Sequence, residues 1–187
     1  MDHGDSQLTL ELKNIVGSEW VSTDPEIVYA YARDVNLFPT HLASVMRPPF
    51  CAVLPATTEE VQKIVAIARI HKAPITVQAT GLNVCGAAVP PRGGIMMDLK
   101  RMDKVIEIDE QNLTATIEPY VSIARLSCEF QKVGMYLPVP GNPSTAGVIS
   151  NILVGLGLKV TNKVGRQEKG IVGFKMVLPN EIGRAHV

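Results

Sequence analysis

From Gln78 to Pro91 the chain carries no charged side chain, and glycines stand at positions 81 and 86. This run lies between two short apolar stretches, Ile75-Thr76-Val77-Gln78 and Ile95-Met96-Met97-Asp98-Leu99, both of which read as strands. Upstream, Thr57 and Glu60 have capping-box spacing. Val61, Ile64, Val65 and Ala68, with Ile67 beside them, form one apolar helix face that Pro74 ends. The order is helix, strand, glycine-bearing loop, strand. Glycine admits positive φ and lets a ligand approach the main chain. Successive N–H groups in such a turn make a concave anion site that needs no lysine, and Asn83 adds a side-chain amide. A pyrophosphate fits that chemistry. An ordinary glycine-containing connector between strands fits the same composition. Two common nucleotide motifs are excluded by the residues themselves. No Gly-Lys-Ser/Thr follows, so this is not a P-loop, and no Gly-x-Gly-x-x-Gly opens a helix, so it is not a Rossmann fingerprint.

The flanking chain is a mixture of short elements. Residues 1 to about 20 are polar and weakly patterned. Asp24 and Pro25 then start a helix that carries Ile27, Val28, Tyr31 and Ala32. Four prolines between 36 and 56 predict an extended lead-in. Val105 to Asp109 and Leu113 to Glu118 flank Glu110-Gln111-Asn112 and predict a β-hairpin. Ser122 caps a helix with Ile123, Leu126, Phe130 and Val133 on one face, and Gly134 suits its left-handed stop. Val172 to Leu178 reads as a last strand. Hairpins outnumber clean βαβ units, so the expected class is α+β, in two small lobes.

A second segment with chemistry to offer runs from Pro140 to Asn151. Hydroxyls and glycines cluster there before an apolar, helix-like run. A helix N-terminus is a natural anion or carbonyl-oxygen site. Ser144 and Thr145 can serve it, either by capping or by bonding a ligand, and a plain capped helix after a turn accounts for the same residues.

Charge and cysteine content narrow the partners. Lysine plus arginine is 18 and aspartate plus glutamate is 18, so the formal charge is zero, which argues against nucleic acid as partner. Cys51, Cys85 and Cys128 have no Cys-x-x-Cys spacing, so no metal site is expected and a reducing compartment is the simpler reading. Acidic residues stand where a signal peptide would carry basic ones, and no stretch reaches the ~18 consecutive apolar residues of a membrane helix. The expected location is cytoplasmic.

Taken in order, these segments resemble the FAD-binding domain of the p-cresol methylhydroxylase / vanillyl-alcohol oxidase superfamily. The branch most similar is that of the FAD-linked oxidases, glycolate oxidase FAD-linked subunits and D-lactate dehydrogenases. The residues that carry the resemblance are Pro55-Ala56-Thr57-Thr58-Glu59-Glu60-Val61, Gly81 to Pro90, and Asp98-Leu99-Lys100-Arg101-Met102. They continue with Glu107-Ile108-Asp109, Thr116-Ile117-Glu118-Pro119, Ser144-Thr145-Ala146-Gly147, Gly165, Val172-Gly173 and Val177-Leu178-Pro179-Asn180.

The resemblance implies a two-lobed FAD-binding fold: a small βαβ-type lobe and a mixed β lobe with helices. It implies that Ala79, Thr80, Gly81, Leu82, Asn83, Val84, Cys85 and Gly86 form the pyrophosphate loop. Gly141, Ser144, Thr145, Gly147, Ser150 and Asn151 would line the ribityl and isoalloxazine region, and Ile171 and Val172 would pack on the adenine side. There are departures. Gln78, Ala79 and Leu82 stand where the family usually has Arg, Gly and Thr; Tyr120 and Val148 stand where it has glycine. With no histidine in the loop and no cysteine after Met135, the implied FAD is non-covalent.

The implied activity is oxidation of a 2-hydroxy acid such as glycolate or D-lactate, with hydride passing to the flavin. The alternative is a non-catalytic flavin- or nucleotide-binding subunit, or an inactive fragment. His3, His41, His71 and His186 are scattered, so no catalytic base is assigned. A small-molecule substrate and partner subunits or an electron-acceptor protein are the implied partners. The expected layout is a helical lead-in over 1–44, the FAD-binding domain over 45–182, and a patternless tail over 183–187. The tail and the absence of the family's C-terminal part and cap domain suggest a truncated polypeptide.

Overall fold

The computed structural model describes residues 3–33, 47–82, 86–138, 143–154, 170–179 and 182–186. The chain divides into two compact units. One holds Met1–Arg101 with Val177–Ile182, the other Met102–Met176 with Gly183–Val187.

In the first unit, α1 (His3–Val16) occupies the stretch whose sequence shows little pattern. Leu8, Leu12 and Val16 on it are buried. Three side chains four apart make a stripe too narrow to stand out among polar neighbours, yet they suffice to seat the helix. A short 3-10 turn (Ser18–Trp20) leads into β1 (Val21–Ser22). Helix α2 (Pro25–Ala30) begins as the sequence predicts: the Asp24 carboxylate accepts from the Glu26 N–H at 2.8 Å, and Pro25 sits in the first turn. Within the proline-rich stretch, Cys51–Val53 forms β2, a strand the sequence reading passes over because it is only three residues long.

Helix α3 (Thr58–Ile70) starts at Thr57, whose hydroxyl accepts from the Glu60 N–H at 3.1 Å. The Glu60 carboxylate reaches back one residue further than an ideal capping box and accepts from the Ala56 N–H at 2.7 Å. Strands β3 (Ile75–Gln78) and β4 (Ile95–Asp98) complete a four-stranded sheet ordered β1-β2-β4-β3. Strands β2 and β3 both run parallel to β4, and β1 is antiparallel to β2. Helix α3 is therefore the crossover of a βαβ unit whose middle position is filled by β4. Burial of all four β4 residues follows from that central place, and it explains their apolar run. Cys51, Val53, Ile95 and Met97 pack with Leu12, Ile64 and Ala68 in one core.

In the second unit, β5 (Val105–Asp109) and β6 (Thr114–Ile117) form the expected antiparallel hairpin, with a bulge between Val105 and Glu107. Helix α4 (Ile123–Lys132) is capped by the Ser122 hydroxyl, which accepts from the Arg125 N–H at 3.2 Å. Its Ile123, Leu126 and Phe130 are buried with Val121, Ala146 and Val148. Helix α5 (Val148–Val154) follows. Strand β7 (Gly173–Val177) pairs with β8 (Ile182–His186), so the segment that shows no pattern in sequence continues as strand as far as His186.

Candidate cofactor-binding site

The β3–β4 register ends at Gln78 opposite Asp98, and the Gln78 carbonyl accepts from the Leu99 N–H at 2.9 Å. Beyond Gln78 the chain leaves the ladder at the carboxyl end of a parallel strand, where ligands of open α/β sheets bind. Ala79, Thr80 and Gly81 are half-buried and Leu82 is exposed. Gly81 has φ +69° and Gly86 has φ +75°, the left-handed region that a side chain disfavours. The expected positions Asn83, Val84 and Cys85 lie outside the described residues.

The loop's return path is anchored. The Val89 N–H donates to the Gly86 carbonyl at 3.1 Å, and Val89 and Pro90 are buried. At Gly94 a Cβ would run into the Pro74 carbonyl oxygen. That oxygen accepts from the Ile95 N–H at 2.8 Å, and the Gly94 carbonyl accepts from the Phe50 N–H at 2.8 Å. A glycine is therefore required where the loop rejoins the sheet. Among the described residues the turn is anchored where it rejoins the sheet, and the side chains from Gln78 to Pro91 carry no charge.

The carboxyl end of β4 carries the buried Asp98. It accepts from the Tyr31 hydroxyl at 2.7 Å and from the Lys100 N–H at 2.9 Å, with the Lys100 ammonium 3.8 Å away. Arg101 stacks 4.0 Å from the Trp20 ring centre and donates to the Leu54 carbonyl at 2.8 Å. The Asp98-Leu99-Lys100-Arg101 sequence is thus a structural clasp within this unit. His71 closes α3 and lies 3.1 Å from the Glu11 carboxylate, a contact between helices.

In the second unit two of the predicted residues meet at the carbonyl of a third. The Gly147 oxygen accepts from the Ser150 hydroxyl at 3.1 Å and from the Asn151 side-chain amide at 2.7 Å. Gly147 also bridges Ser122, and the Val148 N–H donates to Val121. Ser144 and Thr145 are exposed. Their turn also supplies carbonyls to the neighbouring helix: Ser144 and Ala146 accept from the Ala124 and Ile123 N–H groups at the start of α4. Local bonds thus engage the Ser150 hydroxyl and the Asn151 amide. Gly141 is outside the described residues. Ile171 is half-buried and Val172 is 63 % exposed, just ahead of β7.

One residue without an assigned role in the sequence stands out. The Gln78 side-chain nitrogen lies 2.9 Å from where a Cβ of Gly81 would be. Sequence signals it only as a departure from the family's arginine.

The parallel β2–β4–β3 arrangement, the rooted glycine turn and the hairpin-plus-helix second unit together define a p-cresol methylhydroxylase-type FAD-binding fold. The chain belongs to the FAD binding domain family, whose model matches residues 49–182. It is similar to glycolate oxidase subunit GlcD of Bacillus subtilis, with 32% identity over 71% of this chain and 28% of that protein. It is also similar to a probable mitochondrial D-lactate dehydrogenase of Danio rerio, with 26% identity over 89% of this chain and 32% of that one. A crystal structure of p-cresol methylhydroxylase with substrate bound matches at a TM-score of 0.82 and 26% identity, covering 98% of this chain and 36% of the other. The chain spans about a third of the length of the curated relatives it matches. Among the described residues no helix is long and apolar enough to cross a membrane.

Proposed function

We propose that this chain is the flavin-holding part of an FAD-dependent oxidoreductase that oxidises a 2-hydroxy acid such as glycolate or D-lactate. The observation that carries the cofactor assignment is the left-handed, uncharged turn at Gly81 and Gly86, set outside the sheet ladder at the carboxyl end of β3. The substrate class rests on the names of the relatives, a glycolate oxidase subunit and a D-lactate dehydrogenase.

In this reading Ala79, Thr80, Gly81, Leu82, Asn83, Val84, Cys85 and Gly86 hold the diphosphate, largely through main-chain N–H groups. Gly141, Ser144, Thr145, Gly147, Ser150 and Asn151 shape the ribityl and ring region, and Ile171 and Val172 pack beside adenine. These residues would hold FAD non-covalently, and the flavin would supply the hydride acceptor for the reaction. The residues of this chain orient it and exclude water; none is assigned the proton of the substrate hydroxyl. The lead-in is 1–44, the FAD-binding domain 45–182 and the tail 183–187. The partners are a small-molecule substrate and an electron-acceptor protein or further subunits, and the compartment is the cytoplasm.

A second reading, a flavin- or nucleotide-binding module without catalysis, rests on the departures in the loop, where Gln78, Ala79 and Leu82 replace the family's usual Arg, Gly and Thr. An absorption spectrum of the purified chain separates the two. Flavin bands that bleach on adding glycolate or D-lactate support the oxidoreductase. Bands that neither acid bleaches support the module, and a colourless protein that takes up no FAD rejects both.

A further inference from the structure

We propose that Gln78 is a positioning residue of the diphosphate loop and supplies it with a neutral N–H donor. The inference rests on the FAD reading above. Three observations meet at this side chain. Its nitrogen fills the space that Gly81 leaves open by lacking a Cβ, 2.9 Å from that position. Gly81 is held at φ +69°, so its backbone favours glycine, and the Gln78 amide is the end of a flexible side chain lying against it. Among the described residues the Gln78 side-chain amide has no hydrogen-bond partner, although the residue is half-buried and its main chain is fixed by Asp98 and Leu99.

A primary amide at the root of an uncharged turn has a defined use. It stiffens the turn and leaves an N–H for an anion seated there. Glutamine is long enough to reach the bend from the last residue of the strand and carries no charge. Recognition by this loop then depends on dipoles, so its affinity for FAD varies little with salt, unlike recognition by a guanidinium or ammonium group.

Two near-isosteric variants of the whole chain test this: Gln78→Met, which keeps bulk but loses the donor, and Gln78→Glu, which keeps shape but adds a carboxylate. FAD affinity is read by flavin fluorescence at about 0.05 M and about 1 M salt, the range over which screening collapses. Thermal unfolding of the cofactor-free proteins runs alongside. Gln78→Met is expected to weaken FAD binding about ten-fold, in line with one lost charge-assisted hydrogen bond, at either salt concentration. Gln78→Glu is expected to weaken it further at low salt, with the excess shrinking at high salt, and both variants are expected to melt near the parent. If the parent takes up no FAD, the cofactor reading falls and this inference falls with it. If the parent binds and both variants bind within about two-fold of it, Gln78 is only filler and the inference alone is overturned. Equal loss in Met and Glu with no salt dependence in the Glu variant also overturns the donor role.

Discussion

The hydroxyl of Tyr31 donates a 2.7 Å hydrogen bond to the carboxylate of Asp98, across 67 residues of sequence. One partner lies just past α2 and the other at the carboxyl end of the central strand. Asp98 is buried, and its carboxylate oxygens are met by this hydroxyl, by the Lys100 N–H and by the Lys100 ammonium. The bond ties the segment after α2 to the strand end beside Gln78. We expect Tyr31→Phe to cost about 1.5–3 kcal/mol, the range for a hydrogen bond to a charged group. Urea unfolding measures this, and a loss below about 0.5 kcal/mol would mean that water replaces the hydroxyl freely.

Two helix ends make a matched pair. After α4, Gly134 takes φ +71° and the Met135 N–H donates to the Phe130 carbonyl at 2.9 Å. After α3, Lys72 takes φ +53° and the Ala73 N–H donates to the Ala68 carbonyl at 2.9 Å. Both are Schellman stops, one with the favoured residue and one without it. Gly134→Ala should destabilise by about 1 kcal/mol from backbone strain alone, since nothing lies within 4 Å of the added Cβ. Lys72→Gly should stabilise by up to about 1 kcal/mol, because the side chain is exposed and only its left-handed strain is removed. Opposite shifts in melting temperature are the expected result; shifts of the same sign would show that the caps do not control these ends.

Gly81→Asp introduces bulk, backbone strain and a negative charge at the proposed diphosphate turn. FAD retention through gel filtration should be abolished while the circular dichroism spectrum is kept. Flavin content equal to that of the parent would remove the loop from the cofactor site.

Asp109 organises the hairpin turn. Its carboxylate accepts from the Asn112 N–H at 3.0 Å, from the Asn112 side-chain amide at 2.6 Å and from the Gln111 N–H at 2.9 Å. The Asn112 N–H, then the Asn112 amide, hold its carboxyl below the ordinary value of 3.8. A carboxyl lowered on folding stabilises the folded form fully above its unfolded value. That support fades as pH falls from about 3.8 through the depressed value. An NMR titration should find the Asp109 midpoint below 3.8, and Asp109→Asn should flatten the acid side of the stability profile. A midpoint at or above the ordinary value would show that the turn does not hold the carboxylate.

Much of the fold can be read from short-range chemistry. Thr57, Asp24 and Ser122 announce their helices because a cap is a local bond between a side chain and an N–H two or three residues on. The hairpin around Asp109 and the stop at Gly134 are local in the same way. Helix α1 is not, since its three buried side chains gain their meaning from the core they enter. Strand β2 is not either, because three residues acquire a strand's identity only from pairing with β4.

For the candidate site, sequence alone determined that an uncharged, glycine-bearing run joins two strands, and its order with the neighbouring motifs points to the FAD-binding family. Glycine content and charge are properties of the chain itself, and they restrict which turns and ligands it can serve. Only the tertiary structure decided that β4 inserts between β2 and β3, that Gly94 is pressed against Pro74, and that the Gln78 amide fills the gap at Gly81. It also decided that Ser150 and Asn151 turn inward to the Gly147 carbonyl. Strand order is set by burial and by the pairing of distant groups, which local sequence does not encode; the Gln78, Ser150 and Asn151 contacts reach only three or four residues and follow from the turn the backbone takes there.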